Sequence, residues 1–503
     1  MEQSSLKDKT AKGFAWGAVN NLTCQLLQAI FGIIIARSVT HEDYGVIELL
    51  SIFTVVANTL QDSGFRVSLI NRKDATHTDY NSVFWFNIGV SAAMYALFFV
   101  CAPLISDFYN EPLLTSVSRY YFLAFLAASF SIVPRAILIS QFRQKELAII
   151  GLAATAISGV IGATMAINGM KYWGIATQQI MFNLCVSLFS WYYSGWRPSL
   201  AITFKPIREM FSFSSKMLLT DIIVQINNRI FSVALGKFYN KDIVGIYGQA
   251  NKWNTMGTNT VNGMVQGVAQ PTFVQVGDDK ARLCRTFRKM LRFTCFVCVP
   301  AMFGLSLIAN EFIVILVTDR WLPSAHLMQM LCVAGAFLPI ATLYYNLILS
   351  RGKSDIYMYN ALCQGCTIIV SILCMQYLVR SVDLNIFSIH VSLDTIDLMV
   401  LSYTIIIILW TLVWQTFLKR EIGLTFRDAA KDIMPFLLIA TVTMFVTYFI
   451  TRSITNLYLL ITLRIIIAAA IYVGSLWLLG AKILRECVRY IMPRFPFLSR
   501  WIG

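Results

Sequence analysis

Residues 13–48 and 213–248 are two copies of one segment, set 200 residues apart. The first reads GFAWGAVNNLTCQLLQAIFGIIIARSVTHEDYGVIE and the second FSSKMLLTDIIVQINNRIFSVALGKFYNKDIVGIYG. At this one offset Asn21 faces Asp221, Gln25 faces Gln225, Gln28 faces Asn228 and Phe31 faces Phe231. Arg37 then faces Lys237, Glu42 faces Asp242 and Gly45 faces Gly245. Two apolar helices share Leu, Ile and Val through composition alone, but matched polar positions need another cause. A self-match at fixed period sets the architecture before any local reading. Here one half of the molecule is expected to copy the other in the same orientation, as in transporters that move two lobes about a central site.

The rest of the chain supports a membrane location. Of its 503 residues 57% are hydrophobic and 13% charged, with a mean hydropathy of +0.65. A soluble protein of this length carries about 25% charged residues. Apolar runs of about 20 residues, each enough to cross a bilayer core, recur throughout. They predict fourteen spans: 13–36, 46–65, 81–103, 119–140, 148–168, 172–194, 211–236, 243–270, 293–316, 325–349, 355–378, 397–417, 433–450 and 457–480. The expected fold is therefore an all-α polytopic membrane protein of about 14 transmembrane helices. Lys7, Lys9 and Lys12 lead directly into the first apolar run, which reads as a start without a cleavable signal peptide.

The net charge of +15 does not point to nucleic acid, because the basic residues sit in short loops between spans. With the N-terminus taken as cytoplasmic, 29 of the 41 Lys and Arg fall on that side and 8 on the outer side. This asymmetry follows the positive-inside rule and puts both termini in the cytoplasm. Residues 1–196, with spans 1–6, form the expected N-lobe, and 197–210 a cytoplasmic linker. Residues 211–420, with spans 7–12, form the C-lobe; 421–503 hold two further spans and a basic tail. No outer loop is long enough for a catalytic domain. The longest, 379–396, is acidic and shows no evident fold of its own. The four histidines, His41, His77, His326 and His390, form no cluster in sequence, so no enzyme is expected. Cys295/Cys298 and Cys363/Cys366 have CxxC spacing, but on spans this only places two small soft residues on one face. No metal or cofactor is expected.

Polar residues inside the spans carry the functional reading. Asn21, Gln25 and Gln28 fall at i, i+4 and i+7, one stripe on one helical face. Asp221, Gln225 and Asn228 repeat it. Amides need partners in hydrocarbon, so the stripes face the protein interior, where they either join helices or line a wet cavity. Charged residues at membrane depth cost several kcal/mol and are functional candidates. Arg229 is mid-span, Lys252 lies in span 8, and Lys216 is close enough to the cytoplasmic end to snorkel. Cations in a central cavity suit an anionic substrate, and Arg suits phosphate oxygens. Asp221 is a candidate ion-pair partner of Arg229 or Lys216, or a coupling site. Glu48, Asp62 and Arg66 extend the polar set in the first copy. The copies differ at Ala29, which is Arg229 in the second, so most of the cavity's positive charge is expected from the second lobe. Gly45 is expected to allow a tight outer turn, and Trp321, in Asp319-Arg320-Trp321-Leu322-Pro323, to anchor at the headgroup level.

The segment Ala-Arg-Ser-Val-Thr-His-Glu-Asp-Tyr-Gly at 36–45 resembles the opening of polysaccharide flippases of the Wzx type. Asn-Arg-Lys-Asp-Ala-Thr at 71–76, followed by Ser-Val-Phe-Trp-Phe-Asn at 82–87, looks like their colanic-acid-exporter branch. Asp-Arg-Trp-Leu-Pro-Ser at 319–324 is similar to the mid-chain signature of that branch. The resemblance covers residues 1–150 well and 205–350 more loosely. It implies the multidrug/oligosaccharidyl-lipid/polysaccharide (MOP) exporter fold, with two six-helix lobes around a cavity, often with two extra helices. It also implies transfer of undecaprenyl-diphosphate-linked oligosaccharide to the outer leaflet of the bacterial inner membrane.

On this reading Arg229 and Lys252 meet the diphosphate, with Arg66 or Lys216 capturing it at the cytoplasmic mouth. The amide stripes bond sugar hydroxyls while the lipid tail stays in the bilayer. Polymerase and glycosyltransferases of the same pathway are the expected partners. A cation-coupled drug or metabolite antiporter of the same fold is the alternative. Such a site favours acidic and aromatic residues, and the three basic residues of spans 7 and 8 weigh against it.

Overall fold

A computed structural model describes residues 22–62, 69, 76–141, 143–199, 203, 205–277, 279–378, 381–386, 389–481 and 483–485. The chain divides into two compact units, Met1–Gly248 and Gln249–Gly503.

The first unit holds α1 (Leu22–Ser38), α2 (His41–Leu49), α3 (Ser51–Asp62), α4 (His77–Tyr109) and α5 (Leu114–Tyr121). It continues through α6 (Leu123–Ser129), α7 (Ile132–Ser140), α8 (Gln144–Ile167), α9 (Tyr172–Ser194) and α10 (Lys205–Phe238). The first residues of α11 (Lys241–Val276) complete it. Capping boxes start two of these helices: Thr40 with Asp43, and Thr76 with Asp79. Each satisfies two backbone N–H groups that the first turn leaves without partners. Phe84, buried, gathers the rings of Trp85, Trp191 and Trp196. The indole N–H of Trp85 donates to the Ser199 carbonyl and that of Trp191 to the Phe130 carbonyl, both at 2.7 Å. The rings of Trp85, Trp191 and Trp196 are half-buried, and the indole N–H groups of Trp85 and Trp191 keep partners.

The second unit holds the rest of α11, then α12 (Lys280–Leu307), α13 (Ala309–Leu316), a 3₁₀ turn (Asp319–Trp321) and α14 (Leu322–Ser350). After α15 (Ser354–Leu378) come β1 (Ser381–Ile386), β2 (Ile389–Asp394), α16 (Thr395–Ile422), α17 (Phe426–Thr451) and α18 (Leu457–Leu478). Tyr344 in α14 donates to the Gln415 side chain of α16 at 2.9 Å, and Gln415 donates onward to the Leu424 carbonyl at 2.8 Å. Two arginines tie the last two helices to the unit. Arg288 of α12 reaches both carboxylate oxygens of Asp432 in α17, at 2.6 and 3.2 Å. Arg464 of α18 lies 2.8 Å from Glu311 of α13, and both side chains are over 90% buried. The same guanidinium donates to the Leu307 carbonyl at 3.0 Å and the Thr451 hydroxyl at 3.2 Å. A largely apolar cavity of about 410 Å³ lies between α12, α17 and α18, with Arg464 at its edge.

Among the described residues eleven helical stretches are long and apolar enough to cross a membrane. The three remaining predicted spans fall on Leu22–Ser38, Tyr172–Ser194 and Lys241–Val276. Three local expectations give way. Gly45 makes no turn; it lies inside α2, and the chain reverses before it, at the Thr40 cap. Trp321 is no headgroup anchor: it is fully buried, because the 3₁₀ turn folds it back ahead of Pro323. Segment 379–396 is not featureless. Strands β1 and β2 pair antiparallel, Val382 opposite Leu393, Leu384 opposite Val391 and Ile386 opposite Ile389. Apolar residues alternate with polar ones along both strands, which is the strand period.

Candidate functional site

The two repeat copies meet inside the first unit, where α2 crosses the start of α11. A Cβ added to Gly45 would stand 1.8 Å from the Lys241 carbonyl oxygen, and one added to Gly245 would stand 1.9 Å from that of His41. Residue 45 thus meets 241 as 245 meets 41, the pattern of a local two-fold axis. Only glycine allows backbones this close. The charges around the crossing are mirrored too. His41 lies 3.3 Å from Asp242, and Lys241 lies 3.5 Å from Glu42. Lys241 also pairs with Glu111 at 3.1 Å.

One turn further along, the mirror breaks. Glu48 closes α2, and its counterpart is Gly248. A Cβ on Gly248 would stand 3.0 Å from the Glu48 Cγ, so the missing side chain leaves room for the acid. Glu48 Oε1 accepts a hydrogen bond from Arg229 Nη1 at 3.0 Å and another from the Ser232 hydroxyl at 2.9 Å. The counterparts of those two donors are Ala29 and Gly32. The charged cluster is therefore built once, although its scaffold is built twice. Gly236 lets α10 settle on Leu49 and Tyr109, which brings Arg229 within reach. Tyr44, Tyr109 and Tyr121 stand within the field of the Glu48 charge.

Glu48 is 12% exposed and Arg229 30% exposed. The acid is enclosed, and the arginine side chain keeps nearly a third of its surface open. A hydrogen bond to a charged group contributes about 1.5–3 kcal/mol. Glu48 therefore holds Arg229 by one nitrogen while other N–H groups of the guanidinium can meet an anion.

The structure joins two of the residues singled out in the sequence, Arg229 and Glu48. The ion pair of Arg229 is with Glu48 rather than Asp221. Ser232 went unnoticed, although its mismatch with Gly32 marks it. Asp221 and Gln225 are half-buried on α10 and Asn228 is exposed; Gln25 and Gln28 show the same exposures on α1. Lys252 stands on the part of α11 that belongs to the second unit, half-buried, its ammonium 5.6 Å from the centre of the Trp253 ring. Lys216 and Asp62 lie on α10 and α3, and their side chains fall outside what is described. Asn21 and Arg66 lie outside the described residues. No group of three or more metal-ligating side chains stands together among the described residues.

The helical path is that of a known kind of membrane exporter. It matches the lipid II flippase MurJ, inward closed conformation, with a TM-score of 0.72 at 14% identity, over 92% of this chain and 99% of that one. It matches an inward-facing MATE family multidrug resistance transporter of the MOP superfamily with a TM-score of 0.60 at 12% identity, over 80% and 98%. The fold is thus that of the MOP exporters, as the Wzx-type resemblance implied. Residues 34–326 match the family described as polysaccharide biosynthesis protein, and the chain belongs to that family. It is 24% identical to the lipopolysaccharide biosynthesis protein WzxC of Escherichia coli (strain K12), over 70% of this chain and 72% of the relative. It is 21% identical to the teichuronic acid biosynthesis protein TuaB of Bacillus subtilis (strain 168), over 71% and 74%.

Proposed function

We propose that this protein is a transporter, not an enzyme, and that it moves undecaprenyl-diphosphate-linked oligosaccharide from the cytoplasmic to the outer leaflet of the bacterial inner membrane. The family and the names of the relatives favour a polysaccharide precursor as cargo. The observation that carries the reading is Arg229: an arginine at membrane depth, held through one nitrogen by Glu48 and with its side chain 30% exposed. That is a site for a phosphate-bearing headgroup on a lipid-embedded substrate.

Lys252 is a second cation for the same substrate, and Lys216 and Arg66 serve its capture. Gln25, Gln28, Gln225, Asn228 and Asn21 bond sugar hydroxyls. Asp221 and Asp62 are the acidic candidates for coupling. Both termini lie in the cytoplasm, and the repeats alternate access between the two faces. Glycosyltransferases supply the substrate and a polymerase consumes the product.

Arg229→Ala tests this. Surface polysaccharide should be lost while the protein still inserts at normal abundance, and Arg229→Lys should restore part of it. Full export by Arg229→Ala would sink the proposal.

A further inference from the structure

The crossing of α2 and α11 carries no side chain at its centre and brings backbone against backbone. Nothing the size of a sugar passes between two helices in that contact. The ties around it are of a kind that can be undone. Asp242 is 41% exposed and Glu42 61%, so both crossed ion pairs reach water and each contributes little. Lys241 also holds Glu111, a partly enclosed pair on the α11 side. Beneath, between α2 and α10, stands Glu48 with Arg229, with Ser232 on the same oxygen. Glu48 belongs to α2. Arg229 and Ser232 belong to α10, which leads through Tyr239 and Asn240 straight into α11. Whatever parts Glu48 from Arg229 therefore loosens α10 from α2, three residues from the crossing at Gly45.

We propose that the Gly45–Gly245 crossing is the gate closing one membrane face of the transport path, and that the Glu48–Arg229 pair is its latch. The loop charges assign this face to the outside. This rests on the reading of Arg229 as a phosphate contact. A diphosphate carries more negative charge than a carboxylate and offers more acceptor oxygens, so it competes with Glu48 for the guanidinium. Substrate capture thereby releases the latch. The empty transporter stays closed, because Glu48 is the anion that Arg229 holds when no substrate is present. A ligand shifts such an equilibrium only through its preference for one state, and here the preference is for the state in which Arg229 is free of Glu48.

The test is a reversible cross-link. His41→Cys and Asp242→Cys are combined, each single variant serves as control, and a protease site within 197–203 separates the two cysteines. Oxidation of intact cells should join the fragments only in the double variant. Export should fall about tenfold or more and return on reduction, as expected when gate opening limits turnover. A double variant that does not cross-link, or that exports undiminished once cross-linked, overturns the gate. In nanodiscs, undecaprenyl diphosphate should slow the cross-linking severalfold, and undecaprenol should not. Glu48→Gln should slow it in nanodiscs that lack undecaprenyl diphosphate, and Ser232→Ala should do so to a smaller degree. Unchanged cross-linking with undecaprenyl diphosphate, in a protein whose Arg229→Ala form no longer exports, overturns the latch and leaves the site reading intact. Normal export by Arg229→Ala overturns the site reading itself.

Discussion

Glu48 lies over Gly248, its own counterpart one repeat later: a Cβ on Gly248 would stand 3.0 Å from the Glu48 Cγ. The acid can shift by a few tenths of an ångström, so Gly248→Ala should leave export and thermal stability close to normal. Gly248→Leu fills the space that Glu48 occupies. It should part the acid from Arg229, stop export, and cost about 1–3 kcal/mol of stability as an overpacked contact. Export and melting of the two variants side by side check this.

The crossing itself is less forgiving. Gly45→Ala and Gly245→Ala each press a methyl group into a backbone carbonyl, at 1.8 and 1.9 Å, and no rotamer relieves that. Both should lower the melting temperature, to a similar extent because the contacts are mirrored. Gly89→Ala, in α4 with nothing within 4 Å, is the control. It should be neutral or stabilising by up to about 1 kcal/mol, since alanine favours helix.

Arg464 and Glu311 form an ion pair with both members over 90% buried. Arg464→Met strands a carboxylate in the interior and should cost about 3–5 kcal/mol. Arg464→Met combined with Glu311→Met should recover most of that loss. Unfolding of the purified single and double variants measures the difference; a double variant no better than the single one would count against the pair as the tie holding α18.

Lys241 opens α11 outside the membrane-spanning stretch. Burial alone would lower its pKa, but the hydrogen bond from Lys241 to Glu111, with the charges of Glu111 and Glu42, leaves it raised above 10.5. A raised lysine contributes stability that is complete below its unfolded pKa and fades as pH climbs through the folded one. The melting difference between wild type and Lys241→Met should therefore stay constant from about pH 6 to 9 and shrink only above about pH 10.5. A difference that shrinks between pH 6 and 9 would mean that another group governs the contact.

Much of the fold was legible because bilayer thickness makes each span declare itself in sequence. Eleven stretches among the described residues qualify as spans, and each predicted span overlaps a described helix, with residues 13–21 and 63–65 outside the described residues. Ends are displaced where polar caps extend the helices, as at Thr40 and Thr76. The pairing of 381–386 with 389–394 was legible too, in the alternation of Val, Leu and Ile with polar residues, although the acidic residues lower the hydropathy of the segment. Gly45 misled because a glycine behind Asp-Tyr looks like a turn. The carbonyl that needs its bare Cα comes from 196 residues away in the chain. The partner of Arg229 was harder still. Yet the repeat held a signal for it: Glu48 against Gly248, and Arg229 against Ala29, are departures of opposite charge, one in each copy. Departures that compensate in charge mark residues that meet, and the helix spacing of either copy alone does not.

The mirrored contact bears on how such a site can be built at all. Residue 41 meets 245 and residue 241 meets 45, so a single sequence supplies both sides of the crossing. Two separate half-length chains could make it as an ordinary symmetric dimer. Such a dimer would carry every charge twice. A Glu at position 48 would face a second Glu, and an Arg at position 29 would come with a twin. Covalent fusion of the two copies removes that constraint. Only in the joined chain can one copy give the acid and the other the base, so that the axis holds a single charge pair with a definite direction.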